Sequence, residues 1–132
     1  MAKQKIIVDG TDIRVDAKGY ISLTDLAKRS ARSEPKFLIR SWFKNKNTLE
    51  FLEAWEEQHN DNFKVAQMLT FKNEATKNST DPSLIEYAKL TNAIGLLAKA
   101  GRYGGTYAHS DIALNFCYWV SPKFQVYLLK EF

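Results

Sequence analysis

At 132 residues and 45% hydrophobic, with seventeen aromatic residues (eight Phe, six Tyr, three Trp), the chain suits one globular core and is too short for two. Cys117 is the only cysteine, which excludes an intramolecular disulfide and fits a reducing cytosol; no apolar stretch follows Met1-Ala2-Lys3-Gln4-Lys5. Nowhere are there the ~18 consecutive apolar residues of a membrane span, so a cytoplasmic protein is expected. Net charge is a mild +4, but seven basic residues and one acid, Glu34, lie between Lys28 and Lys46. Five acids without Lys or Arg then lie between Glu50 and Asp61. Segregated charge of this kind attracts a polyanion to its positive part, although two solvated helix faces account for it equally well.

Two β-branched runs, Ile6–Val8 and Thr11–Val15, flank Asp9-Gly10 and predict a hairpin. A turn at Ala17-Lys18-Gly19 leads into Tyr20-Ile21. Ser22 caps a helix over Leu23–Arg29, with Asp25 placed to complete a capping box. Ser33-Glu34-Pro35 opens a second helix running to about Asn45, proline being tolerated in a first turn. The short link from Ser30 to Ser33 makes the pair a candidate helix-turn-helix. Asn47 is the expected cap of a third helix, with Phe51, Leu52 and Trp55 on one face.

From Asn60 to Thr80 the apolar residues follow no clean period, and no element is assigned there. Asn73–Ser83 reads as an exposed loop, and Asp81-Pro82 begins a short helix to about Leu90. Ile94–Ala98 is open between a helical extension and a strand. Gly101-Arg102-Tyr103-Gly104-Gly105-Thr106-Tyr107 has too much glycine for a helix. Ser110 is the expected cap of a helix through Val120, and Ser121-Pro122 starts a last helix. That helix still runs at Phe132, so the natural protein is expected to continue. Cys117, in the apolar run Leu114–Val120, reads as a buried hydrophobe.

Lys36, Arg40 and Lys44 recur every fourth residue and form one stripe, while Leu38, Ile39, Trp42 and Phe43 occupy the opposite side. On the second helix of a helix-turn-helix, such a stripe lies where a major-groove reader contacts phosphates and guanine edges. The bland alternative is a solvated amphipathic face, but the near absence of acids leaves few salt bridges along it. Three glycines in the five positions Gly101–Gly105 permit close backbone approach, and exposed amides there can reach phosphate oxygens. Lys99 and Arg102 add charge, and Tyr103 and Tyr107 add flat faces. A basic hairpin of this kind beside a helix-turn-helix is a wing. It is neither a P-loop, lacking Lys-Ser or Lys-Thr, nor a dinucleotide fingerprint.

The segment Tyr20-Ile21-Ser22-Leu23-Thr24-Asp25-Leu26-Ala27 resembles the opening of KilA-N domains, as do Trp42, Asn47–Leu52 and Trp55-Glu56. Gly101–His109, Asp111-Ile112-Ala113 and Trp119-Val120-Ser121-Pro122 extend the resemblance over about Lys5 to Phe132. KilA-N domains occur in bacteria, bacteriophages and large DNA viruses and are related to the APSES DNA-binding domains of fungal transcription factors. The resemblance implies an α+β, winged-helix-like domain, here with small β-hairpins and five or six helices. It also implies binding of double-stranded DNA through the helix-turn-helix and wing, in a regulatory role and, in a bacterial host, at the nucleoid. In the APSES wing a glutamine commonly precedes the Gly-Thr pair. Gly104 stands there instead, which shifts the expectation from base reading toward backbone and Arg102 contacts. Full-length KilA-N proteins often carry a further C-terminal domain.

The residues and the resemblance together nominate Lys36, Lys44, Lys46, Lys99 and Tyr103 for phosphates. Arg40 and Arg102 are nominated for base edges or groove insertion, and Gly104, Gly105 and Thr106 for the wing. Trp42, Trp55, Phe116 and Trp119 are assigned to the core. No catalytic residue, cofactor, metal or small-molecule substrate is expected: two scattered histidines and one cysteine lack zinc spacing, and His109-Ser110-Asp111 imitates a triad only in composition. His109 reads as a polar residue closing the wing. Two rivals stand beside DNA binding. One is an interaction or assembly module, homodimeric through the acidic helix Asn47–His59. The other is the targeting domain of a larger nuclease.

Overall fold

The computed structural model describes residues 5–8, 10–30, 34–75, 84–99 and 105–131. Strands β1 (Lys5–Val8) and β2 (Thr11–Arg14) form the predicted antiparallel hairpin, with Gly10 at a φ of 79° that suits glycine. Asp16 then organises the next turn: its Oδ1 accepts from the amides of Lys18 and Tyr20, both at 2.9 Å. Strand β3 (Ile21–Ser22) runs directly into helix α1 (Leu23–Ser30), followed by α2 (Pro35–Lys44), α3 (Lys46–His59), α4 (Val65–Ala75) and α5 (Leu84–Thr91). Strands β4 (Leu96–Lys99) and β5 (Gly105–Ala108) precede the closing helices α6 (Ser110–Val120) and α7 (Pro122–Leu129). The second sheet is antiparallel in the order β3-β5-β4, so the strand that begins at Gly105 lies between β4 and the strand that feeds α1.

The architecture is α+β, with seven helices among the described residues rather than five or six. The additional helix is α4, from the stretch that showed no period. Met68 and Phe71 are buried, while Val65 and Leu69 face outward, which blurs the pattern. The segment expected as a loop from Asn73 thus begins inside α4; residues 76–83 lie outside the described residues. After Thr91 the helix stops because Asn92 adopts φ 62°, a left-handed end that asparagine tolerates, and the ambiguous Ile94–Ala98 run becomes β4.

Local chemistry corrects three caps. Ser22 Oγ does accept from the Asp25 amide at 3.1 Å, but the Asp25 carboxylate does not close a capping box. Instead it receives Arg14: the backbone amide and Nε at Oδ2 and Nη2 at Oδ1, each at 2.9 Å. A two-pronged charge-assisted pair outcompetes a single backbone donor. Asn45, not Asn47, caps α3, its Oδ1 accepting from the Asn47 amide at 2.9 Å. His109, not Ser110, caps α6 through Nδ1, which accepts from the Asp111 amide at 3.1 Å.

Burial pushes the Asp25 carboxyl up, but the hydrogen bonds and charge of Arg14 outweigh it and hold it below its ordinary 3.8. A lowered folded value stabilises the fold above the unfolded carboxylate range, and this is lost as pH falls through the folded value. Urea midpoints are therefore expected to drop below pH 3.8, and Asp25→Asn should flatten that drop; an unchanged profile in the variant would contradict the pairing.

The core joins all these layers. Trp42, Phe43, Tyr87 and Phe116 are fully buried, with Phe43 packed on Tyr87 and Phe71 at 5.3 and 5.5 Å. Trp55 is buried as assigned, but Trp119 is 36% exposed. On α6 the inner stripe is filled by Ile112, Ala113, Phe116, Cys117 and Val120, and position 119 falls outside it. Burial pushes the Cys117 thiol up to about 12, which suits an inert core residue.

Candidate nucleic-acid interface

Helix α2 presents its basic stripe because four of its large apolar residues are spent inward. Leu38, Ile39, Trp42 and Phe43 are buried, which leaves Lys36 exposed and Arg40 and Lys44 half-buried on the outer side. Its first turn starts at Pro35, whose missing amide costs nothing there. α1 and α2 pack directly on one another, and β3 brings α1 alongside β5.

At the start of β5 the wing strand is fastened to the helical pair. The Thr106 amide donates to Thr24 Oγ1 at 3.1 Å, and Gly105 sits at φ 130°. A Cβ on Gly105 would stand 2.7 Å from that same oxygen, so glycine is required by both conformation and space. Between α2 and β5 lies a cleft of about 460 Å³. Lys36 and Arg40 line it from one side, Gly105, Thr106 and Thr24 from the other, with Glu34 and Leu84 also on its wall.

Of the nominated residues, Lys36, Arg40, Gly105 and Thr106 therefore meet at one cleft. Lys46 does not line it: it opens α3 and borders a separate cleft with Glu50, Leu69 and Lys72. Lys99 is held elsewhere, pairing with Asp16 at 3.0 Å and lying 4.5 Å above the Tyr107 ring. A phosphate would have to displace that carboxylate to use Lys99 fully. Lys44 occupies the last turn of α2, where its charge also suits the helix dipole. Arg102, Tyr103 and Gly104 lie outside the described residues.

One residue escaped the sequence reading. Phe37 is 47% exposed on the basic face of α2, between Lys36 and Arg40. The available signal was its helical position, since it shares a face with Arg40 and Lys44 rather than with Ile39 and Trp42.

The acidic helix proves less of a surface than its composition suggests. Glu56 is fully buried, and Glu53 binds Lys72 at 2.8 Å, leaving Glu50 and Glu57 exposed on α3. His109, Ser110 and Asp111 form no triad: His109 caps the helix, and Asp111 Oδ2 accepts from Trp55 Nε1 at 3.0 Å. Among the described residues no group of three or more His, Cys, Asp or Glu is placed to hold a metal, and no helix is long and apolar enough to cross a membrane.

No curated protein and no solved structure matches the chain. The model of the KilA-N domain matches residues 4–132, essentially the whole length, and the chain belongs to this family of DNA-binding domains.

Proposed function

We propose that the chain binds double-stranded DNA without chemistry, α2 entering the major groove and the β4–β5 hairpin acting as the wing. The observation that carries this reading is the shared cleft: a basic helix face and a glycine-led strand, distant in sequence, line the same opening. Lys36 and Arg40 supply phosphate or base-edge contacts, and the backbone at Gly105 and Thr106 approaches the duplex closely. Lys44, Lys46, Lys99, Arg102, Tyr103 and Gly104 are secondary contacts in this reading. The biological setting that fits is regulatory DNA binding, sequence-specific or structure-selective, in a phage or bacterial cytoplasm.

The test is binding to random-sequence duplex DNA across a salt series. Affinity should fall steeply with salt, and Lys36→Ala with Arg40→Ala should weaken binding and flatten the log–log slope by ~1 per lost phosphate contact. An unchanged slope in the folded double variant would remove α2 from the interface. Cleavage of DNA by the chain with Mg²⁺ would overturn binding without chemistry, and failure to shift DNA at low salt would favour an assembly module.

A further inference from the structure

Every large apolar side chain of α2 except one is buried. Phe37 alone stands out, 47% exposed, at the third position of the helix. Its ring is not an isolated surface residue. Lys36 Nζ lies 5.8 Å from the ring centroid and Arg40 Cζ 5.4 Å, so two cations lean over it. A polyanion that engages these cations brings the phenyl ring against whatever lies between its phosphates. In the major groove of a duplex the projecting apolar group is the thymine 5-methyl, and a phenyl ring is a fitting contact for it. The first turn of the second helix in a helix-turn-helix is also the part that reaches base edges.

We propose that Phe37 reads thymine through its methyl group, adding a base-specific apolar contact to a surface otherwise built from cations. This rests on the DNA-binding reading above. It differs from a supporting role, in which the ring merely orients Lys36 and Arg40, because a supporting ring is indifferent to the methyl.

The experiment enriches duplexes from a random pool with the wild-type protein. The enriched duplex is then resynthesised with deoxyuridine replacing thymidine at one position at a time. At a contacted position the wild type should bind roughly fourfold more weakly without the methyl, the order expected for re-exposing one such group to water. The salt slope should stay the same, since no phosphate contact is lost. Phe37→Ala should weaken binding to the thymidine duplex and bind both duplexes alike, whereas Phe37→Leu should keep part of the preference.

Wild-type protein indifferent to deoxyuridine at every position would overturn the proposal, as would Phe37→Ala that keeps the preference. A Phe37→Ala protein with a flattened salt slope, without a thymine preference in the wild type, would assign the ring to supporting the cations instead. Enrichment of no sequence, or only of sequences without thymine, would also overturn it while leaving DNA binding intact. No binding of any duplex at low salt would overturn the DNA reading itself. Should Phe37→Ala fail to fold by thermal unfolding, the wild-type comparison and Phe37→Leu still decide.

Discussion

Glu56→Ala is expected to destabilise the fold by about 2–5 kcal/mol, the scale for leaving two backbone donors unpaired in the interior. The carboxylate is fully buried in the last part of α3 and accepts from three donors. Asn60 Nδ2 reaches Oε1 at 2.8 Å, the Ile94 amide reaches both oxygens at 3.0 and 3.1 Å, and the Gly95 amide reaches Oε2 at 2.7 Å. These bonds tie the end of α3 to the chain just before β4. Gly95 allows the approach: a Cβ there would stand 2.4 Å from Ile112 Cδ1 and 2.9 Å from Glu56 Oε2. Alanine at position 56 strands the Ile94 and Gly95 amides, each costing about 1–3 kcal/mol if unpaired, and leaves Asn60 Nδ2 with only its 2.8 Å bond to the Asn92 carbonyl. Glutamine should be only partly better, because its own NH₂ would meet donors. Urea unfolding of both variants checks this; a loss under about 1 kcal/mol would mean that the stranded donors find other partners.

Trp42→Ala is the second large effect, expected to cost about 3–5 kcal/mol. The indole is fully buried, donates from Nε1 to Asn115 Oδ1 at 2.9 Å, and meets the Phe116 ring edge-on at 5.3 Å. It therefore fixes the inner face of α2 on α6 and so aims the basic stripe outward. Trp42→Phe keeps most of the ring but leaves Asn115 Oδ1 without its donor, a smaller loss of about 1–3 kcal/mol. Denaturation midpoints for the two variants separate packing from hydrogen bonding. Equal losses would show that the hydrogen bond carries most of the effect.

What could be read in advance was local. Asp9-Gly10, Ser22 and Pro35 announce a turn, a cap and a first helical turn through their own backbone preferences, and the stripe on α2 follows from four-residue spacing. The failures are non-local or ambiguous. Leu49, Leu52 and Glu56 fall on one inward stripe of α3, so the position of Glu56 was visible. Its charge made it read as solvated, because its backbone donors lie 38 and 39 residues away in sequence. Asn45 and Asn47 are equally good capping residues, and only the geometry chooses Asn45. α4 hides because its outward face is apolar, and Trp119 misleads because an aromatic in an apolar helix need not be on the inner stripe. The candidate cleft was half legible: both of its sides were named separately. Their meeting depends on the Thr24–Thr106 bond and the β3–β5 pairing, which no local pattern encodes.

The pairing of Ile21–Ser22 with Tyr107–Ala108 also sets when the cleft between α2 and β5 can form. A chain emerging during synthesis presents the residues of α1 and α2 long before the strand that flanks them exists. Until residues near position 107 arrive, β3 lacks its neighbour and the basic helix faces an unfinished partner. Contacts so distant along the chain carry a larger loop-closure cost than the local ones within the helices. A nascent or partly unfolded chain thus has the cations but not the opening they line, so under the proposed function DNA capture requires completed folding rather than the helical pair alone.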